Sequence, residues 1–173
     1  TELIPALDRV GRDFEQGVLF LPQLLMSAEA AKTAFEEIRA SMGQEASRSK
    51  KEKIILATVK GDIHDIGKNI VKVLLENFGY DVIDLGKDVP PETVVGAAQK
   101  DGVKLVGLSA LMTTTVANMA DTIRLLREKL PACRVMVGGA VLTPEYAKQI
   151  GADFYGKDAM ASVHYAQELF KAN

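Results

Sequence analysis

The sequence predicts an α/β fold, a parallel sheet of five strands covered by helices on both faces, with a helical segment in front of it. Three observations predict this. From Lys53 onward, short apolar runs alternate with stretches of helical periodicity. Parallel strands need crossover helices, and those helices cover both faces of the sheet. Residues 1–42 carry helical periodicity alone, and the polar stretch 43–52, Gly43 to Glu52, has none and reads as a linker.

In the leading segment, Ile4, Leu7 and Phe14 share roughly one face, and Phe20, Leu21, Leu24, Leu25, Ala28 and Ala31 repeat the pattern after a break near Gln16-Gly17. Pro22 is tolerated in the first turn of the second helix, where its missing N–H goes unused. Two helices alone leave apolar surface bare, so they are expected to pack on the rest of the chain or on further helices. The chain begins on a helical pattern, Thr1-Glu2-Leu3-Ile4, and is read as a fragment truncated at its N-terminus. In 53–173 the predicted strands are Lys53–Val59, Asp81–Asp84, Leu105–Leu108, Val135–Val137 and Asp153–Tyr155. The predicted helices are Ile66–Phe78, Pro91–Asp101, Thr115–Leu130, Thr143–Ile150 and Ala159–Lys171. Five such strands and helices imply the flavodoxin-like, Rossmann-type order 2-1-3-4-5.

Composition narrows the function. The 173 residues are 47% hydrophobic and 25% charged, with a formal net charge of −2. That balance forces no basic face, so nucleic acid is not an expected partner. No apolar run approaches the roughly 18 residues that a membrane span needs, and no leader pattern opens the chain. The lone cysteine, Cys133, cannot form an internal disulfide, which suits a reducing, cytoplasmic location.

An open parallel sheet binds ligands at the carboxyl ends of its strands, near the switch point between strands 1 and 3. Three polar or glycine-rich loops fall there: Lys60–Asn69, Ser109–Thr115, and Gly138-Gly139-Ala140-Val141. The first is densest in chemistry. In Asp62-x-His64-x-x-Gly67, a neutral imidazole is a transition-metal ligand, a carboxylate two residues away is the partner that orients it, and Gly67 admits a close ligand. The competing reading makes Asp62 or Asp65 the cap of the helix starting near Ile66, with His64 exposed in the loop. One histidine with no neighbouring His or Cys is too little for zinc and suffices only where a macrocycle supplies the other ligands. Thr113 or Thr114 is expected to cap the helix that runs to Leu130, leaving the other hydroxyls to line a cavity. Gly138-Gly139 reads as a tight turn or a place of close ligand approach.

These motifs carry a resemblance. VKGDIHDIGKN at Val59–Asn69, Ser109-Ala110-Leu111 and Gly138-Gly139 are similar to the DxHxxG, SxL and GG signatures of the corrinoid-binding modules of cobalamin-dependent methyltransferases, and the likeness covers nearly the whole chain. The resemblance implies a cobalamin cofactor (methylcobalamin or another corrinoid) held base-off/His-on. In that mode the cofactor's benzimidazole leaves the cobalt for a channel beside the sheet, and His64 takes the lower axial position. Asp62 and Thr115 would complete a relay behind His64. The loop residues Gly61, Asp62, Ile63, His64, Asp65, Ile66 and Gly67 would contact the cofactor, and Ser109, Leu111, Thr113, Gly138, Gly139 and Ala159 would surround its tail. Residues 1–42 resemble the second half of a four-helix cap, in which Phe14 and Leu21 would shield the upper face; plain helix packing is the alternative for both.

The resemblance further implies a methyl-carrier that is non-catalytic alone. It would shuttle methyl between a donor-specific methyltransferase and an acceptor methyltransferase using a thiol or folate, and a reductive activase would restore the cobalt. The alternatives are an excised cobalamin-binding module of methionine synthase, a cobalamin-binding sensor or regulator, and a mutase domain. A sensor would place a Trp over the upper ligand, and the chain has none. An ordinary nucleotide- or flavin-binding domain lacks its GxGxxG or P-loop pattern here.

Overall fold

The computed structural model describes residues 3–41 and 52–171. Helix α1 (Leu3–Glu15) and helix α2 (Leu21–Ser41) come first. Gly17, at φ 73°, takes the left-handed turn after α1. The Phe20 N–H donates to Gln23 Oε1 at 2.8 Å, the return half of a capping box. Pro22 lies in the first turn of α2, as expected. The side chains of Ile4 and Leu7, and residues 43–51 of the expected linker, lie outside the described residues.

The remaining elements alternate strictly. They are β1 (Lys53–Thr58), α3 (Ile66–Asn77), β2 (Asp81–Asp84), α4 (Pro91–Asp101), β3 (Leu105–Ser109), α5 (Val116–Lys129), β4 (Arg134–Gly138), α6 (Pro144–Gln149), β5 (Phe154–Gly156) and α7 (Ala159–Lys171). The sheet has the order β2-β1-β3-β4-β5, and every pairing is parallel. This is the predicted topology. The differences are of one residue at element ends. Val59 leaves the first strand because only an isolated bridge to Val89 continues the ladder there.

Alternate residues of the strands feed two cores. Ile55, Ala57, Val106, Leu108, Val135 and Val137 face Met119, Ile123 and Leu126 of α5 and Val94, Val95 and Ala98 of α4. Ile54, Leu56, Leu105 and Met136 face Leu74 and Leu75 of α3 and Met160, Val163 and Ala166 of α7. Period-2 burial on both faces is what makes these strands apolar throughout.

The α1–α2 pair joins the second core. Leu24 is 1% exposed within it, and Phe14 and Leu21 pack against it partly buried. Gly11 lies so close over α7 that a Cβ there would stand 2.8 Å from Met160 Cε. Among the described residues, no helix is long and apolar enough to cross a membrane.

Candidate functional site at the carboxyl edge of the sheet

The loop after β1 turns on Gly61, at φ 82°, and sends Asp62 back under the sheet edge. The Asp62 side chain is fully buried. Its Oδ1 accepts the His64 backbone N–H at 3.0 Å and lies 2.9 Å from His64 Nδ1. Its Oδ2 accepts the backbone N–H groups of Leu111 at 2.7 Å and Met112 at 3.1 Å, and the Thr115 hydroxyl at 2.9 Å. The Thr115 hydroxyl also lies 2.8 Å from the Met112 carbonyl. With one proton to give, it favours the charged oxygen.

Burial pushes the Asp62 carboxyl up. The N–H groups of His64 and Leu111, the His64 ring and the Thr115 hydroxyl outweigh burial and hold it well below the usual carboxylate range. An ionised Asp62 only accepts, so the adjoining His64 Nδ1 carries a proton, and in the neutral ring the lone pair is on Nε2. The His64 side chain is 47% exposed. The arrangement is therefore a half-exposed imidazole fixed from behind, with one nitrogen free to act as a donor.

Two further residues set the loop. Asp88 accepts the Gly61 N–H at 2.6 Å through Oδ1 and donates its own N–H to the Asp62 carbonyl at 3.0 Å. It does so at φ 55°, a left-handed conformation found at no other non-glycine among the described residues. Asn118 of α5 donates to the Lys60 carbonyl at 2.8 Å. Sequence reasoning missed both, because each lies far along the chain in a segment that reads as plain loop or helix surface.

Beside His64 opens a cavity of about 680 Å³. Of the anticipated residues, Ile63, His64, Asp65, Ile66, Gly67, Ser109, Leu111, Gly138, Gly139 and Ala159 line it. Asp62 and Thr115 stand behind that wall, as does Gly61, whose Cβ position lies 3.4 Å from Thr115 Cγ2. Thr113, Phe14 and Leu21 are not part of the lining; Thr113 is exposed in the 3-10 turn Thr113–Thr115, and the other two serve the second core.

Glycines shape the cavity floor. A Cβ on Gly107 would stand 2.5 Å from Leu56 Cδ2, and one on Gly156 would stand 2.6 Å from Ser162 Oγ. Gly139, at φ 141°, would place a Cβ 1.8 Å from the Ala110 carbonyl oxygen, so β3 and β4 close on each other there. Gly107 lies inside a strand, and that position was the signal that could have found it.

The capping expectations need correction. Asp65 holds the cap position of α3 without a side-chain hydrogen bond, and Asp62 is turned inward by the N–H groups of Leu111 and Met112. Thr115, rather than Thr113 or Thr114, holds the cap position of α5, and its hydroxyl is engaged by Asp62. Competition from a buried carboxylate explains the outcome.

The donor set also fits one kind of ligand. Among the described residues, no group of three or more His, Cys, Asp and Glu side chains is placed to hold a metal ion. A lone imidazole next to a glycine-floored cavity suits a metal that arrives in its own macrocycle, with an appendage to fill the cavity.

Fold and site together define a parallel α/β ligand-binding protein that offers a single, carboxylate-backed nitrogen at its switch point. The chain belongs to the B12-binding domain family, whose models match residues 52–164 and, for a second B12 binding domain model, residues 2–39. Its cofactor is a corrinoid. It is 41% identical over 169 residues to dimethylamine corrinoid protein 1 of Methanosarcina acetivorans, covering 96% of this chain and 79% of the relative. Among solved structures it is similar to the methanol:cobalamin methyltransferase complex MtaBC from Methanosarcina barkeri, with 32% identity, a TM-score of 0.80, and coverage of 99% of this chain and 66% of that one. A cobalamin-binding protein from Desulfitobacterium hafniense DCB-2 is similar at 32% identity and a TM-score of 0.76, covering 94% of this chain and 77% of that one.

Proposed function

We propose that this chain is a methyl-carrier. His64 Nε2 would ligate the cobalt of a corrinoid, and the cavity would take the cofactor's own base, displaced from the metal. When bound, the corrinoid supplies a cobalt centre that accepts a methyl group and later yields it, and the hard chemistry is the cofactor's own. His64 provides the nitrogen, Asp62 keeps its other nitrogen protonated, and Thr115 fixes Asp62. Ser109, Gly138 and Gly139 line the space for the displaced base, and Gly107 keeps its floor open.

The observation that carries this reading is the His64–Asp62–Thr115 chain, assembled at 2.9 Å spacings beside the cavity. The likeness to proteins named dimethylamine corrinoid protein and to a methanol:cobalamin methyltransferase complex supports two partners. One is a methyltransferase that loads methyl from a small methylated compound such as a methylamine or methanol. The other removes it to a thiol or a folate. A reductive activase is the third partner, because the cobalt must return to its reduced form after accidental oxidation.

The test is electron paramagnetic resonance of the protein loaded with cobalamin and reduced to divalent cobalt. Protein labelled with ¹⁵N-histidine is expected to change the nitrogen splitting of the cobalt signal from a triplet to a doublet. His64→Ala is expected to abolish the splitting. Wild-type splitting that ignores the label would assign the coordinating nitrogen to the cofactor's own base and defeat the reading.

A further inference from the structure

Thr58, the last residue of β1, is completely buried, and among the described residues its Oγ1 is the buried side-chain polar atom left without a hydrogen-bond partner. Such a hydroxyl is unfavourable by roughly 1–3 kcal/mol, so native proteins keep one where something else completes it. Its backbone is fully engaged, the N–H with the Gly86 carbonyl at 2.9 Å and the carbonyl with the Val89 N–H at 3.0 Å. Only the hydroxyl is unassigned.

Register says what lies beside it. Thr58 pairs with Ser109 across the parallel β1–β3 ladder. Paired residues point to the same face about 5 Å apart. That face also carries Leu56, Gly107 and Met136, which floor the cavity, and Ser109 itself lines it while Thr58 does not. Thr58 is thus hidden behind Ser109, on the inner side of the wall that a ligand touches.

A serine hydroxyl has one proton and two lone pairs and is free to turn. Alone, Ser109 serves a donor or an acceptor equally. A second hydroxyl that donates to it from behind removes that freedom, because the Ser109 proton then has to point elsewhere. We propose that Thr58 is a positioning residue that sets specificity for the buried part of the ligand. On binding, its hydroxyl donates to Ser109 Oγ, and the Ser109 proton is presented to a ring nitrogen of the corrinoid's displaced lower base. The inference rests on the displaced-base reading above. It favours corrinoids whose lower base carries an acceptor nitrogen, such as a benzimidazole or purine, over those with a phenolic base.

The experiment measures binding of three probes to the full chain: aquacobalamin, a cresolyl cobamide with no ring nitrogen, and cobinamide with no lower base. Thr58→Val keeps the shape and removes the hydroxyl. It is expected to weaken aquacobalamin about tenfold, the scale of one neutral hydrogen bond. The other two affinities should hold, and the ligand-free variant should melt no lower than wild type. Thr58→Ser should restore most of the loss. On a Ser109→Ala background, Thr58→Val should cost nothing more, because the two act as one unit. Equal weakening of all three probes, no weakening of aquacobalamin, or an undiminished effect on the Ser109→Ala background would each overturn the proposal. A different failure belongs to the reading beneath it. If wild type holds aquacobalamin and cobinamide equally tightly, the lower base contributes nothing in the cavity, and both ideas fall together.

Discussion

The Asp62 carboxylate takes hydrogen bonds from two loops, whereas the His64 ring makes one such contact and stands half in solvent. Removing each should therefore do different things to the ligand-free protein. Asp62→Asn sets amide hydrogens against buried donors and is expected to destabilise by about 2–3 kcal/mol, the scale of charge-assisted hydrogen bonds. His64→Ala is expected to change stability by less than about 0.5 kcal/mol, as for an exposed side chain. Urea denaturation of both variants checks the contrast; equal losses would make His64 structural. At this scale the sequence was partly legible. The two-residue spacing of Asp62 and His64 announces an oriented imidazole. Asp88 gives no such sign, because its role depends on a left-handed φ and on a partner 27 residues away.

The loop after β1 is an element held from outside itself, by Asp88 on one side and Asn118 on the other. Asp88→Ala loses the acceptor and keeps the strained φ, so it should destabilise by about 1–2 kcal/mol and speed hydrogen exchange at the Gly61 amide. Asp88→Gly loses the same acceptor but relieves the strain and should lose less. If both lose equally, the left-handed conformation carries no cost here.

Helix α3 is tied to β2 by a second device. Lys68 Nζ, nearly buried, lies 2.5 Å from Asp84 Oδ1, and the Gly86 N–H joins the same oxygen at 2.9 Å. Burial raises the Asp84 carboxyl, and the Lys68 hydrogen bond, the Gly86 N–H and nearby Lys72 outweigh it, so the folded value lies below the ordinary one. A depressed folded pKa gives stability that is present above about pH 4, the unfolded value, and is lost as pH falls through the folded one. Asp84→Asn is expected to cost about 2–4 kcal/mol at pH 7, because it takes the countercharge from a buried ammonium that keeps only neutral oxygens such as Asn69 Oδ1, and progressively less below pH 4. Denaturation midpoints of both proteins across pH 2–7 check the convergence. Element boundaries were legible almost to the residue, because glycine, proline and β-branched runs mark them. Caps were not, since a cap is decided by which buried group competes for the side chain.

For the whole molecule, the strand order followed from alternation alone, because short crossovers admit few parallel topologies. The seat of α1 and α2 did not follow. Their apolar stripe shows that something covers them, and only the assembled face of α3 and α7, with Met160 beneath Gly11 and Leu24 buried in the shared core, shows what does.

The single imidazole has one more consequence, for the choice of metal. With His64 as the proposed ligand, one protein nitrogen would have almost no grip on a bare ion, so the usual contest among divalent metals, in which copper outbids nickel and cobalt, would not be held at this site. Under the proposed reading the chain would select a finished corrinoid by its shape, and among the described residues no group of three or more His, Cys, Asp and Glu side chains would offer zinc a competing site.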